Sequence, residues 1–378
     1  MPFRILFLTA PLIILVAALA TADRPAEAAF PGVNGKIVFS RQGGTQQIFA
    51  MNPDGSGLTN LTNDPAGGYF PAGSPDGRRI AFTRCSGDCE IFVMNAGGSG
   101  QTNLTNNPAT DIRPAWSPDG RRIAFGTLGR GGNWEIFVMN ADGSSQTNLA
   151  NNPARDWEPT WSPDGRRIAF TRGDPNADDI WVMNADGSGQ INLTNSPSTK
   201  DSDPDWSPDG KKIVFSSVPL AGGSVEIYVM NADGSGQTNL TNSSSTNDFA
   251  PVWSPDGTKI AFTSEALAVG ANREIYVMNA DGSAPADLTN SPLFEEGPDW
   301  LVVPPPPTVR CVVPKLIGLK LPAARTRVKR AHCSLGRVRY ERSIRARGRV
   351  ISQRPRPGAR LRRGAKVNVV VSRGRRHS

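Results

Sequence analysis

Apolar side chains come in short runs, and the runs recur as a set. In the third set, Pro114-Ala115-Trp116 leads into a Ser-Pro-Asp-Gly turn, and Arg122-Ile123-Ala124-Phe125 follows. Next come Glu135-Ile136-Phe137-Val138-Met139-Asn140, the turn Ala141-Asp142-Gly143-Ser144, and Asn148-Leu149. Such β-branched and aromatic segments, each about 4–6 residues long and bounded by Asp-Gly turns, predict an antiparallel meander. Along the Ile136-Phe137-Val138-Met139 segment, Ile and Val fall on one face, the aromatic residue and Met on the other. Both faces are apolar, so the strand needs cover on both sides. Neighbouring sheets stacked face to face supply it. Every Met except Met1 occupies this slot (Met51, Met94, Met139, Met183, Met230, Met278), which assigns the Met stripe to core packing.

The set repeats six times. Ser-Pro-Asp-Gly begins at Ser74, Ser117, Ser162, Ser207 and Ser254, and Asn34-Gly35-Lys36-Ile37-Val38-Phe39 is a degenerate first copy. The glycines Gly35, Gly77, Gly120, Gly165, Gly210 and Gly257 are 42 to 47 residues apart. That period predicts a propeller blade or a similar stacked unit. A Pro-x-Trp strand precedes each later turn (Trp116, Trp161, Trp206, Trp253), but the second unit has Gly73 in the Trp slot. A last copy, Glu295-Glu296-Gly297-Pro298-Asp299-Trp300, has no turn after it. It is expected to supply the missing strand of the first blade and so to close the ring.

The composite phrase resembles the repeat of TolB-type propellers over about residues 30–303. The resemblance implies a six-bladed β-propeller that binds macromolecules in the cell envelope, although no N-terminal α/β domain of the TolB kind is evident. The end of the chain resembles a PASTA domain. The residues that carry this are Val313-Pro314, Leu316-Ile317-Gly318, Ala323-Ala324, Val350-x-x-Gln353-x-Pro355-x-Pro357-Gly358, Gly364 and Val369-x-Val371-Ser372-x-Gly374. That resemblance implies association with peptidoglycan or another wall component. The expected fold is therefore all-β, a six-bladed propeller of four-stranded blades, plus a small α+β C-terminal domain. The expected boundaries are a signal peptide over 1–28, the propeller over 29–303, a Pro-rich linker over 304–309 and the PASTA-like domain over 310–375.

Residues 1–28 carry Arg4, an apolar stretch from Ile5 to Leu19, and small residues that suit signal cleavage. The apolar run is short for a membrane span. An exported, extracytoplasmic bacterial protein is expected, and its four cysteines suggest two disulfides. Cys85 and Cys89 would staple one hairpin loop, and Cys311 would pair with Cys333. A C-x3-C metal site is the alternative for the first pair, but the repeats contain no His to complete it.

Charge divides the chain. From Val309 onward there are 22 Lys and Arg and one acid, Glu341; the remainder holds 20 basic and 33 acidic residues. The basic end should favour anionic partners in a salt-sensitive way. Peptidoglycan or an anionic wall polymer is the expected partner of residues 310–375. Tyr340 is the sole aromatic after Trp300, so stacking platforms for nucleic acid are absent, and no nucleic-acid partner is expected.

Catalytic groups are scarce. His332 and His377 are the only histidines, and both are in the basic end. A Ser-His-Asp triad or a His-ligated metal in the propeller is thereby excluded. No nucleotide-binding glycine pattern occurs, and no cofactor is expected. An acid three residues before each conserved Pro remains: Asp111, Asp156, Asp201, Asp248 and Glu295. Inner strands line a propeller's channel, so these five are expected to ring one mouth as a ligand site, or to act as hydrogen-bonded caps at strand entry. The favoured function is binding, not catalysis: a monomer whose propeller takes a protein or a glycan. The alternative is glycan or peptide cleavage by channel carboxylates. The loops from Val218 to Ser224 and from Glu265 to Arg273 break the repeat and are the first places to look for a ligand.

Overall fold

The computed structural model describes residues 32–130, 132–173, 177–268, 271–303 and 311–375. The predicted leader over 1–28 and the linker over 304–309 lie outside the described residues, as does the centre of the Glu265–Arg273 loop. Contacts divide the chain into two compact units after Val303.

The first unit contains six four-stranded antiparallel sheets among the described residues. Each sheet is one blade. The third runs inner to outer as Thr110–Trp116, Arg122–Leu128, Trp134–Asn140 and Thr147–Asn148. The Ser-Pro-Asp-Gly phrase joins the inner strand to the second. The Ser117 hydroxyl donates to Asp119 (2.7 Å) and accepts from the Arg122 amide (2.9 Å), and Gly120 takes a φ of 66° that favours glycine. Asn-Leu-Thr closes the outer strand in the same local way. The Asn103 side chain accepts from the Thr105 and Asn106 amides, and the Thr105 hydroxyl caps Ile91 and bonds Glu90.

Blades stack as the two-faced third strand requires. Ile136 and Val138 pack against Trp161, Ile168, Phe170 and Met183 of the next blade. Phe137 and Met139 pack against Ala81 and Ile91 of the blade before. The Phe of each Ile-(Ala/Val)-Phe motif is at most 2 % exposed, and each such burial contributes about 2–3 kcal/mol.

The ring closes through the last repeat. Glu295–Val302 pairs antiparallel with Asn34–Gly43, with Trp300 opposite Ile37. Sequence alone leaves the glycine at position 73 unexplained. The structure shows that Leu301 of the closing strand fills the slot that Trp fills elsewhere. It packs with Val38, Ile48, Ile80 and Phe82. A Cβ on Gly73 would come within 2.8 Å of the Leu301 side chain.

The second unit is a small α+β domain. The strand Lys366–Ser372 lies between Ser334–Glu341, parallel to it, and Val350–Arg354, antiparallel to it. The helix Leu321–Arg330 starts with Pro322, which suits a first turn, and ends with Arg327, Lys329 and Arg330. Its Ala324 and Val328 join Leu316, Val350, Val367 and Val369 in the core. Disulfides link Cys85 to Cys89 and Cys311 to Cys333, so the cysteine pair in the repeats is a staple between strands and not a metal site.

Candidate functional site: the central channel

The inner strands do not run straight past the axis. In each, the ladder slips at the residue before the conserved Pro, as between Ile112 and Ala115. That residue takes a positive φ in every blade: Phe70, Arg113, Glu158, Asp203, Ala250 and Gly297, with φ between 48° and 61°. Five of the six are not glycine, and proline follows each, so this conformation carries a steric cost. Hydroxyls of the preceding blade help to hold it. The Arg113 amide donates to Thr83 Oγ1 and the Ala250 amide to Ser216 Oγ, both at 3.1 Å. The bulge turns these six residues, five of them with side chains, toward the axis, where they and the following Pro-x segments line a cavity of about 160 Å³.

The lining is chemically uneven. Arg113 lies 4.3 Å over the Phe70 ring and pairs with Asp203 (2.7 Å) and Glu158 (3.4 Å). Burial and the neighbouring Asp203 push the Glu158 carboxyl up to about 7. One step further along the axis stand Asp205 and Asp299. Each is raised to about 7, chiefly by desolvation. Asp205 accepts from the Trp253 amide (2.8 Å) and Thr160 (3.2 Å), and Asp299 accepts from the Gly73 amide (2.6 Å). The channel thus offers one arginine already engaged and four carboxylates, three of which titrate near neutrality. Such a lining suits a cationic or hydrogen-bonding guest.

The five acids expected at the channel mouth are elsewhere. Asp111, Asp156, Asp201, Asp248 and Glu295 are all at most 4 % exposed, and none lines the channel. Each is held mainly by side chains, not by the strand-entry backbone. Asp111 accepts from Arg130 (2.6 Å) and Asn107 (2.7 Å), and Asp156 from Arg172 (2.6 Å). Asp201 and Asp248 accept from Ser217 and Ser264, each at 2.6 Å. Arg41 Nε lies 3.0 Å from Glu295, whose carboxyl burial and the adjacent Glu274 raise to about 8. The reason is the bulge. Counting by twos from the acid fails across a slipped ladder, so the residue before proline, not the acid two positions earlier, meets the axis. In the sequence only its place before the conserved Pro marks it: Phe, Arg, Glu, Asp, Ala and Gly occur there in turn, and the positions flanking that x-Pro pair vary too. Among the described residues no group of three or more His, Cys, Asp or Glu is arranged to hold a metal.

Comparison with known proteins accords with both units. The family model described as TolB beta propeller domain matches residues 69–154, 146–247 and 201–302, and the PASTA domain model matches 312–373. TolB from Acinetobacter baumannii superposes with a TM-score of 0.61 at 19 % identity, over 71 % of this chain and 66 % of that one. A putative TolB from Agrobacterium tumefaciens gives 0.57 at 22 %, over 71 % and 99 %. Hydrazine synthase of Kuenenia stuttgartiensis gives 0.63 at 17 %, over 74 % and 49 %; at these identities the likeness is one of fold. A probable serine/threonine-protein kinase of Clostridium acetobutylicum is 41 % identical over 63 residues, 16 % of this chain; the match spans a tenth of the kinase.

Proposed function

The chain belongs to the TolB β-propeller family and ends in a PASTA domain, and on that footing we propose that it is an exported binding protein of the cell envelope. The propeller binds a protein or a glycan, and the basic PASTA domain associates with peptidoglycan or an anionic wall polymer. The observation that carries the binding role is the channel lining. Five strained residues are held on one axis, an aromatic, an arginine, two carboxylates and an alanine, in a fold that is otherwise repetitive. Strained backbone of this kind clusters at ligand-binding sites. The two disulfides suit an oxidising, extracytoplasmic setting. The 22 basic residues from Val309 onward suit an anionic polymer.

The test is a pull-down of the mature protein on purified cell wall, with and without residues 304–378. Retention should be lost with the deletion and should fall as salt rises. Equal retention of the two forms overturns the wall role. Screening the same protein for glycan hydrolysis checks the catalytic alternative.

A further inference from the structure

Each blade has a slot between its second-strand Phe and its third-strand aromatic, and in all but the second, which has Gly68 there, an inner-strand acid completes it. In the fourth blade Arg172 fills it. The guanidinium lies 4.4 Å over Trp181, forks onto Asp156 (2.6 and 2.9 Å) and reaches Gln190 (2.8 Å). In the second blade Arg84 lies 4.7 Å over Phe92 and bonds Gln101 (2.6 Å). In the first, Arg41 lies 5.3 Å over Phe49 and 3.0 Å from Glu295. The third blade has Thr127 at the arginine position, and there Arg130 enters from the hairpin loop. It lies 5.1 Å over Phe137 and bonds Asp111 (2.6 Å) and Gln146. The slot therefore receives a guanidinium by either of two routes, from the strand or from the loop.

The fifth blade retains the slot without the arginine. Ser217 stands at the arginine position, opposite Asp201 on one side and Glu226 on the other. Tyr228 supplies the aromatic face against Phe215 (centroids 5.8 Å apart). Gln237, the counterpart of Gln101, Gln146 and Gln190, is exposed and donates to its own turn at Gly234. A cavity of about 470 Å³ opens here, lined by Ser217, Glu226, Tyr228, Thr199, Asn239 and Ser243. Glu226 is 7 % exposed, and Asp201 lies directly behind the Ser217 hydroxyl. The sixth blade also has serine, Ser264, but Pro285 replaces its glutamine, so its slot has lost that acceptor as well.

We propose that the fifth-blade cavity binds a guanidinium group from outside the chain, the arginine side chain of a protein partner. The guest would stack on Tyr228 and bond toward Glu226 and Asp201, as Arg172 stacks on Trp181 and bonds Asp156 in the preceding blade. Glu226 accepts from Ser224, Thr241 and the Ser243 amide, and Asp201 from Ser217, so each carboxylate keeps lone pairs for a guest; with the aromatic face they favour a planar, multiply donating guanidinium over an ammonium. The site is separate from the channel, and neither the wall role nor the channel reading enters into it, so the wall pull-down and the following test fail independently.

Saturation-transfer NMR on the full chain, with Nα-acetyl-arginine methylamide as probe and its citrulline analogue as the uncharged control, tests it. The citrulline compound should bind about tenfold more weakly, having lost the charge-assisted bonds and the cation–π contact. Ser217→Arg should fill the slot in cis and abolish binding of the arginine probe. Glu226→Gln and Tyr228→Leu should each weaken it about tenfold, and these two decide the matter if the arginine variant fails to fold. Equal binding of the two probes overturns the proposal, as does full binding by a folded Ser217→Arg protein or by both other variants.

Discussion

Arg113 of the third blade reaches Asp203 of the fifth at 2.7 Å, crossing the channel past Glu158 of the fourth. One guanidinium thus ties three consecutive blades together on the axis. Removing it leaves two carboxylates facing each other with no cation between them. Arg113→Met should destabilise the propeller by about 2 kcal/mol at pH 7, since the pair is partly exposed and water screens it. The loss should shrink at pH 5, where Glu158 can hold a proton. Urea denaturation at both pH values checks this.

The channel acids set a pH dependence. Glu158, Asp205 and Asp299 are each raised to about 7 in the folded state. A raised carboxyl keeps its proton after the unfolded chain has lost its own. Its stabilising contribution is present in full below about pH 4 and is lost as pH climbs through about 7. Melting followed by tryptophan fluorescence isolates the propeller, because all eight tryptophans lie within it. The melting temperature should fall between pH 4.5 and 8. Asp205→Asn and Asp299→Asn should each flatten that fall, with a gain of about 1 kcal/mol at pH 8.

Ring closure depends on the last strand. A chain ending before Glu295 should lose the whole propeller in one cooperative step and not blade by blade. Leu301→Ala, which empties the slot beside Gly73, should cost about 2–4 kcal/mol. Circular dichroism melts of both variants suffice, and a truncation that melts like the intact chain sinks the closure account.

The two disulfides should act on separate units. Cys311 and Cys333 are 22 residues apart, and loop-closure entropy gives about 3 kcal/mol for such a bridge. The core of this small domain is short, so Cys311→Ser with Cys333→Ser should lower or abolish a calorimetric transition that tryptophan fluorescence does not see. The four-residue separation of Cys85 and Cys89 corresponds to about 2 kcal/mol, which should appear in the propeller melt.

Much of this architecture was legible in the chain because it is periodic. The glycine spacing counted the blades, the two-faced Ile-x-Val-Met strand required stacking, and the unattached Trp300 copy implied closure. The channel lining was not legible. It depends on a one-residue slip at each x-Pro step, which separates residues two apart: Asp111 and Asp201, expected at the channel mouth, are buried, and Arg113 and Asp203 face the axis. The arginine slots were hidden for another reason. In the third blade the guanidinium comes from Arg130 in a loop, so no alignment of strand positions reveals that Thr127 and Ser217 are different cases.

The seam between the first and last strands has a mechanical consequence. Asn34 and Val302 are opposite each other at one end of an antiparallel pair. Tension applied through the N-terminal segment and through the C-terminal domain therefore meets at adjacent residues. It would peel the seam open one hydrogen bond at a time and would not load the whole pair in shear. A molecule held at both ends would yield there first, and under pulling the seam would work as a fuse for the ring.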